Sequence, residues 1–484
     1  MTNGHKSKRC GFSFITVAVT ISLLYWSYIG FVSQIVIAHD AISYESFGRM
    51  VYLDGWDEYF RTGPNREPLY MFLIAVSMWM ADILNVSYHE IQKIIQLLFL
   101  FITQLLTLKT LKRLRVSDYL IATALLYIGL SPGMVNSALS LFSEIATYPF
   151  VLSIVLVASK LWKNLKKESS PIAIPSSILG LLWLLLTFTK GIFELISSLF
   201  LIPFFIITGV AIRKQRSFLW KKCLIFFVMF FVSYYLPLNG YKLMNKIYNG
   251  HYALSDRGAR ILYGSTARRL EPMGKTNLLA GLAFAPTPDI CYSHFDSQTC
   301  DFWDWSTADH LATTQLTQLG ERGLSPNQAE RQILWLAIKK ILSNPLQYCL
   351  LTMVEGSSIF FWESSKIGFV AYPDWMDRIF WNSIFENALT FSTAFLALTA
   401  FIYLFIYIWK NRTDIFDTAN LTDSRNATAF MIFLILTNYI MISCLFWILR
   451  RYVLPMAPLY VVIIIFFAHR LINVLKTTIR LRSS

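Results

Sequence analysis

Asp40 comes directly after an uncharged run, residues 11–37, in the segment AHDAISYESFGRM. A carboxylate where an apolar span meets water can act as a general base toward a hydroxyl. It can equally cap the helix beginning at Ala41, a common use of aspartate. His39 can assist that carboxylate or simply sit at the interface. Further along, NREPLYMF sets Arg66 and Glu67 before Pro68. Glu67 can orient a substrate, or serve as a first-turn acid favourable to the helix dipole. Asp54, Asp57 and Glu58 in LDGWDE read as a turn of solvated charges, one of which could reach a substrate. Glu144, in LFSEIATY, opens another apolar run. A carboxylate at that depth is costly unless it is paired or faces a cavity, which marks it as functional by default. The alternative is an interfacial acid in water.

The cations carry a second signal, which depends on how the chain threads. Of the 484 residues, 55% are hydrophobic and 15% charged, where a soluble chain would have about a quarter charged. Apolar runs long enough to cross the hydrocarbon recur along the chain. The expected fold is an all-α polytopic membrane protein. The formal net charge of +14 gathers in short clusters beside apolar runs, as the positive-inside rule requires, so nucleic acid is not an expected partner. With the N-terminal cluster inside, ten spans follow: residues 11–37, 91–111, 119–135, 145–162, 172–188, 192–212, 223–238, 387–409, 428–449 and 453–469. The run 69–84 is short, contains Asp82 and would spoil the charge pattern if it crossed. It is expected to lie on the outer surface as an interfacial helix. The same holds for 347–362, with a helix break at Asn344-Pro345. The chain thus divides into an N-terminal membrane module (1–238) with a first outer loop at 38–90, a long outer region (239–386), and C-terminal spans (387–484).

In this threading Arg450, Arg451 and Lys190 fall outside, against the trend. A phosphate partner accounts for them, because the guanidinium fork suits phosphate oxygens; anionic headgroups are the alternative. Arg257, Arg260, Arg268 and Arg269 share the anomaly, and the sequence does not choose among them. Cys291 and Cys300 stand together in CYSHFDSQTC, as a local disulfide or as two free thiols. No Cys/His cluster has zinc spacing and no Gly-rich phosphate loop is present.

Several segments, taken in order, resemble the GT-C type glycosyltransferases, polytopic enzymes such as aminoarabinose transferases and protein O-mannosyltransferases that use polyprenyl-phosphate sugar donors. They are HDAISYESFGRMV after the first span, NREPLYMFLIA, SLFSEIATYPFVLSIVL, AIKKILSNPLQY and RRYVLPMAPLYVV. The pattern departs from the family at His39-Asp40-Ala41, where a second acid or a proline is usual, and at Glu67-Pro68, where paired prolines are usual. Both departures leave the subfamily and any divalent cation open. The resemblance implies a GT-C-type bundle with two large outer loop regions. It implies transfer, inverting in stereochemistry, to a hydroxyl of a cell-surface glycan or glycolipid such as O-antigen or lipid A, on the periplasmic side of a bacterial inner membrane. Asp40 would be the base, with His39, Arg66, Glu67, Glu144, Lys190, Arg450, Arg451 and Tyr452 binding donor or acceptor. A glycan polymerase or ligase with a pyrophosphate-linked donor is the enzymatic alternative, and a lipid-linked sugar flippase the non-enzymatic one. A transporter should show mid-span ionisable residues and often pseudo-repeats; here the span centres are mostly free of charge and the polar residues gather in two outer loops.

Overall fold

The computed structural model of the chain describes residues 4–213, 215–271, 274–416, 423–446 and 450–483. It is 83% helical. Its two strands, Gln34–Ile35 and Val370–Ala371, pair antiparallel with Gln34 opposite Ala371. Helix dominates because hydrocarbon offers a backbone no partner beyond its own carbonyls.

Eight helices among the described residues are long and apolar enough to cross a bilayer, and each falls on an expected span. The chain is an integral membrane protein of all-α architecture. The expected third span is a pair, Asp118–Leu130 and Pro132–Leu139, bent by 46°. Pro132 lacks the N–H that would continue the ladder. Counting that pair gives nine. The expected fifth span, Ala173–Thr189, has 17 residues and is shorter than a spanning helix should be, so length alone does not reach ten.

One boundary moves. The helix that was expected to end at residue 238 continues to Asn249, passing Pro237 after a π-helical turn at Phe231–Tyr235. The wider turn accommodates a residue without an N–H. Gly250, at a left-handed φ of 83°, ends the helix. Pro326–Ser343 and Pro345–Gly356 break at Asn344 as expected, and neither meets the criteria for a span.

Residues 250–382 contain two small cores. In one, the helices Arg257–Arg269, Trp305–Glu321 and Pro326–Ser343 pack through Tyr263, Ala312, Leu319 and Ile333. The other surrounds a disulfide between Cys291 and Cys300, the first of the two open readings. Polar anchors tie this region to the bundle. Buried Glu363 accepts from the Tyr127 and Ser131 hydroxyls at 2.8 and 2.5 Å and from the Gly133 N–H at 2.7 Å. Buried Glu355 is held by Arg268 and Arg269, and Arg269 also donates to the carbonyl of Phe446 at 2.7 Å.

Two short helices position the N-terminal polar segment. Asp40–Leu53 packs along Pro68–Leu84, which buries Tyr70, Met71, Ile74 and Met78 and leaves Phe72, Trp79 and Ile83 exposed. Tyr70 and Ser77 donate to Gln96 and Gln92 of the neighbouring span, both at 2.5 Å. The helices approach closely at Gly48, where an added Cβ would lie 2.5 Å from Ile74 Cγ2. Gly48→Ala should therefore destabilise the protein by about 1–3 kcal/mol through overpacking. Gly240→Ala, in open helix surface, should stabilise by up to about 1 kcal/mol. Thermal unfolding in detergent distinguishes the two, and a stabilised Gly48→Ala protein would contradict the close packing.

Candidate active site

Asp40 is the first residue of its helix, and His39 rather than Asp40 occupies the N-cap. This corrects the capping reading, which placed the helix start at Ala41. His39 adopts a left-handed φ of 49°, makes no capping bond, and stacks on Phe369 with ring centres 5.2 Å apart. The Asp40 carboxylate is instead clasped by Arg66 at 2.5 Å and by Arg451, with Arg257 at 3.9 Å.

The partners come from across the sequence. Arg66 is held because the Tyr59 hydroxyl donates to its carbonyl at 2.6 Å. Its guanidinium, 4% exposed, lies 4.7 Å from the centre of the Tyr44 ring. Tyr44 stands one turn beyond Asp40, on the same helix face, and its hydroxyl bonds that of Ser143 at 3.0 Å. Beside Ser143, Glu144 is 1% exposed. It accepts from Lys190 at 2.8 Å and lies 3.5 Å from the Arg451 Nε, an ion-pair separation without a hydrogen bond. Glu144 is therefore buried and paired, not an interfacial acid in water. Arg451 lies over the rings of Phe142 and Tyr452, at 4.9 and 5.3 Å, and Lys190 lies 5.2 Å from Tyr452.

Among the predicted residues, Asp40, Arg66, Glu144, Lys190, Arg451 and Tyr452 thus form one cluster. Glu67 joins it by a strut, accepting from the Gly191 N–H at 2.8 Å and so fixing the turn that carries Lys190. His39 faces Phe369, and the Arg450 side chain lies outside the described part. Of the four undecided arginines only Arg257 reaches Asp40; Arg260 pairs with Asp309 at 2.7 Å, and Arg268 and Arg269 hold Glu355. The LDGWDE segment is not a simple turn. Asp54 separates two helices, the second of which opens at Gly55 with φ 85°, and Asp57 accepts from Tyr248 at 2.9 Å. Tyr44, Ser143 and Phe142 were missed, although the spacing of Tyr44 from Asp40 was available as a signal.

Electrostatics follow from this geometry. Burial alone would raise the Asp40 carboxyl, but Arg451 and Arg66, aided by Lys190, hold it well below the usual carboxylate range. Burial would lower the Lys190 ammonium, and Glu144 more than reverses that. Four cations (Arg66, Lys190, Arg257, Arg451) face three carboxylates (Asp40, Glu67, Glu144), leaving one positive charge over among the described side chains. No group of three or more His, Cys, Asp or Glu among the described residues could hold a metal ion; Arg451 bridges Asp40 and Glu144.

No family model matches the chain, and no curated protein matches it.

Because the folded Asp40 carboxyl titrates below its ordinary value of 3.8, its ion pairs contribute fully above that pH. The contribution is lost as pH falls through the lower, folded value. Asp40→Asn should lower stability at pH 7 by about 2 kcal/mol, the scale of hydrogen bonds to charged groups. The melting-temperature gap between parent and variant should stay constant from pH 8 to about 5 and close only below about 4. A gap that closes between pH 7 and 5 would contradict the clasped carboxylate.

Proposed function

We propose that the chain is a GT-C type membrane glycosyltransferase that moves a sugar from a polyprenyl-phosphate donor to a hydroxyl of a cell-surface glycan or glycolipid. The observation that carries this reading is the convergence of Asp40 with Arg451, Arg66 and Lys190 at the end of the bundle where residues 250–382 sit. A lipid-linked donor keeps its tail in the bilayer and its phosphate at headgroup depth. A phosphodiester carries one negative charge, and the cluster has one positive charge in excess. A pyrophosphate-linked donor would need a further cation, so the phosphate donor is favoured. The positive-inside pattern supports an outer-face position for this end of the bundle, which in a bacterial inner membrane is the periplasmic side.

The chemistry then runs as follows. Arg451, with Arg66, Arg257 and Lys190 nearby, holds the donor phosphate and stabilises the charge it gains on leaving. The acceptor oxygen attacks the anomeric carbon as the carbon–oxygen bond to phosphate breaks, and the electron pair departs with the phosphate. One carboxylate, Asp40, takes the acceptor proton; attack opposite the leaving phosphate inverts the anomeric centre. In the resting state Arg66 and Arg451 make that carboxylate a weak base. Donor phosphate competes for the same guanidinium groups and restores basicity when substrate is bound. Glu144 keeps Lys190 and Arg451 oriented.

The test is transfer by purified protein in nanodiscs supplied with polyprenyl-phosphate sugars and a lipid-linked glycan acceptor. Asp40→Asn should transfer about 10²–10⁴-fold more slowly, the range for loss of a general base. Arg451→Lys should raise the donor concentration needed for half-maximal rate. A well-folded Asp40→Asn protein with the parental rate would sink the assignment. Vesicles that flip the donor without any transfer would favour the transporter instead.

A further inference from the structure

Beside Asp40 lies a cavity of about 270 Å³. The helix Asp40–Leu53 brings Asp40, Ser43 and Phe47 to successive turns of one face, and both Ser43 and Phe47 line the cavity. Arg257 lines it as well and lies 3.9 Å from the Asp40 carboxylate, so one guanidinium is shared between the cavity and the cluster. Asn65 closes one side, next to a segment pinned by the bond from the Asp256 N–H to the Pro64 carbonyl at 2.9 Å. Glu330 and Ile333, from Pro326–Ser343, form the far wall.

The lining indicates the kind of ligand. Phe47 is set edge-on against Tyr59, with ring centres 5.8 Å apart at 90°. Together with Leu316 it provides an apolar surface with an aromatic face, which attracts polarised C–H groups. Around it stand a hydroxyl, an amide, two carboxylates (Asp256, Glu330) and two guanidinium groups (Arg257, Arg260). Both guanidinium groups are already engaged, Arg260 in a fork by Asp309 at 2.9 and 2.7 Å and Arg257 by the Asp40 carboxylate at 3.9 Å. Burial, then the charge of Asp256, pushes the Glu330 carboxyl up to about 7, so at neutral pH it both donates and accepts. An apolar face inside a rim of mixed donors and acceptors fits a pyranose ring. At about 270 Å³ the space lies just under the roughly 300 Å³ lower end of drug-sized ligand pockets, which suits one ring and not a chain. No lining residue belongs to a candidate span, so a molecule enters from water, whereas a lipid-borne donor must arrive from the bilayer.

The geometry points to this cavity as the acceptor subsite, holding one uncharged pyranose residue between Phe47 and Glu330 with a hydroxyl directed past Arg257 toward Asp40. This deepens the glycosyltransferase reading and rests on it.

Binding can be measured apart from catalysis. Methyl glycosides of glucose, galactose, mannose and N-acetylglucosamine are added to the full chain in nanodiscs, and saturation-transfer NMR reports which are bound. At least one should take up saturation. The affinity, read from the concentration dependence of the signal, should fall about tenfold, a loss of about 1.4 kcal/mol, in Ser43→Trp, which fills the cavity, and in the milder Glu330→Ala. Failure of every glycoside to bind, or an affinity unchanged in both folded variants, would overturn the subsite. Glycoside binding lost in Ser43→Trp, in a parent that transfers no sugar from any donor, would keep the pocket and remove the transferase reading. Parental transfer by folded Ser43→Trp would remove the pocket and keep the transferase.

Discussion

The bridge that Arg451 makes between Asp40 and Glu144 is the interaction on which the rest of the arrangement depends. It joins the first polar segment, the start of a deeply buried helix and the start of the last span. Removing any one member leaves a charge at low exposure without its partner, and that penalty exceeds what the pair contributes when intact. Each carboxylate in the cluster is answered by a cation or a backbone N–H, and one positive charge is left over. Tyr44, Phe142 and Tyr452 extend this by placing ring faces against the cations.

That constraint explains why the surroundings are built as they are. The close approach at Gly48 sets the height of Asp40. The Glu67 strut to Gly191 sets the turn of Lys190. Arg269, bonded to both Glu355 and the Phe446 carbonyl, ties the extramembrane region to the end of the helix that precedes Arg451. In the proposed reaction a phosphate entering the cluster meets preset donors and acts on Asp40 through charge, by competing with it for the same arginines.

Much of this was legible in the sequence. Apolar run length and the placement of basic clusters located each of the eight helices long and apolar enough to cross a bilayer, because both follow from bilayer thickness and charge translocation and need no tertiary knowledge. The anomaly of cations outside the positive-inside pattern singled out Arg451 and Lys190, and depth singled out Glu144. The sequence could not reveal pairing: that Arg257 but not Arg260 reaches Asp40, or that His39 turns to Phe369, depends on side chains meeting across more than a hundred residues. Helix limits were also missed where a proline is absorbed, as at Pro237, because a π turn leaves no mark in hydropathy. The cavity beside Asp40 is lined from three separate parts of the chain and has no local signature at all.

The central claim is that donor phosphate takes the arginines from Asp40 and so makes it a base. Carboxyl infrared difference spectra, assigned to Asp40 by subtraction of the Asp40→Asn protein, report its protonation directly as pH is lowered. With decaprenyl phosphate bound, the protonated band should appear at a distinctly higher pH than in the lipid-free protein. A band that appears at the same pH with the phosphate lipid demonstrably bound would contradict the account.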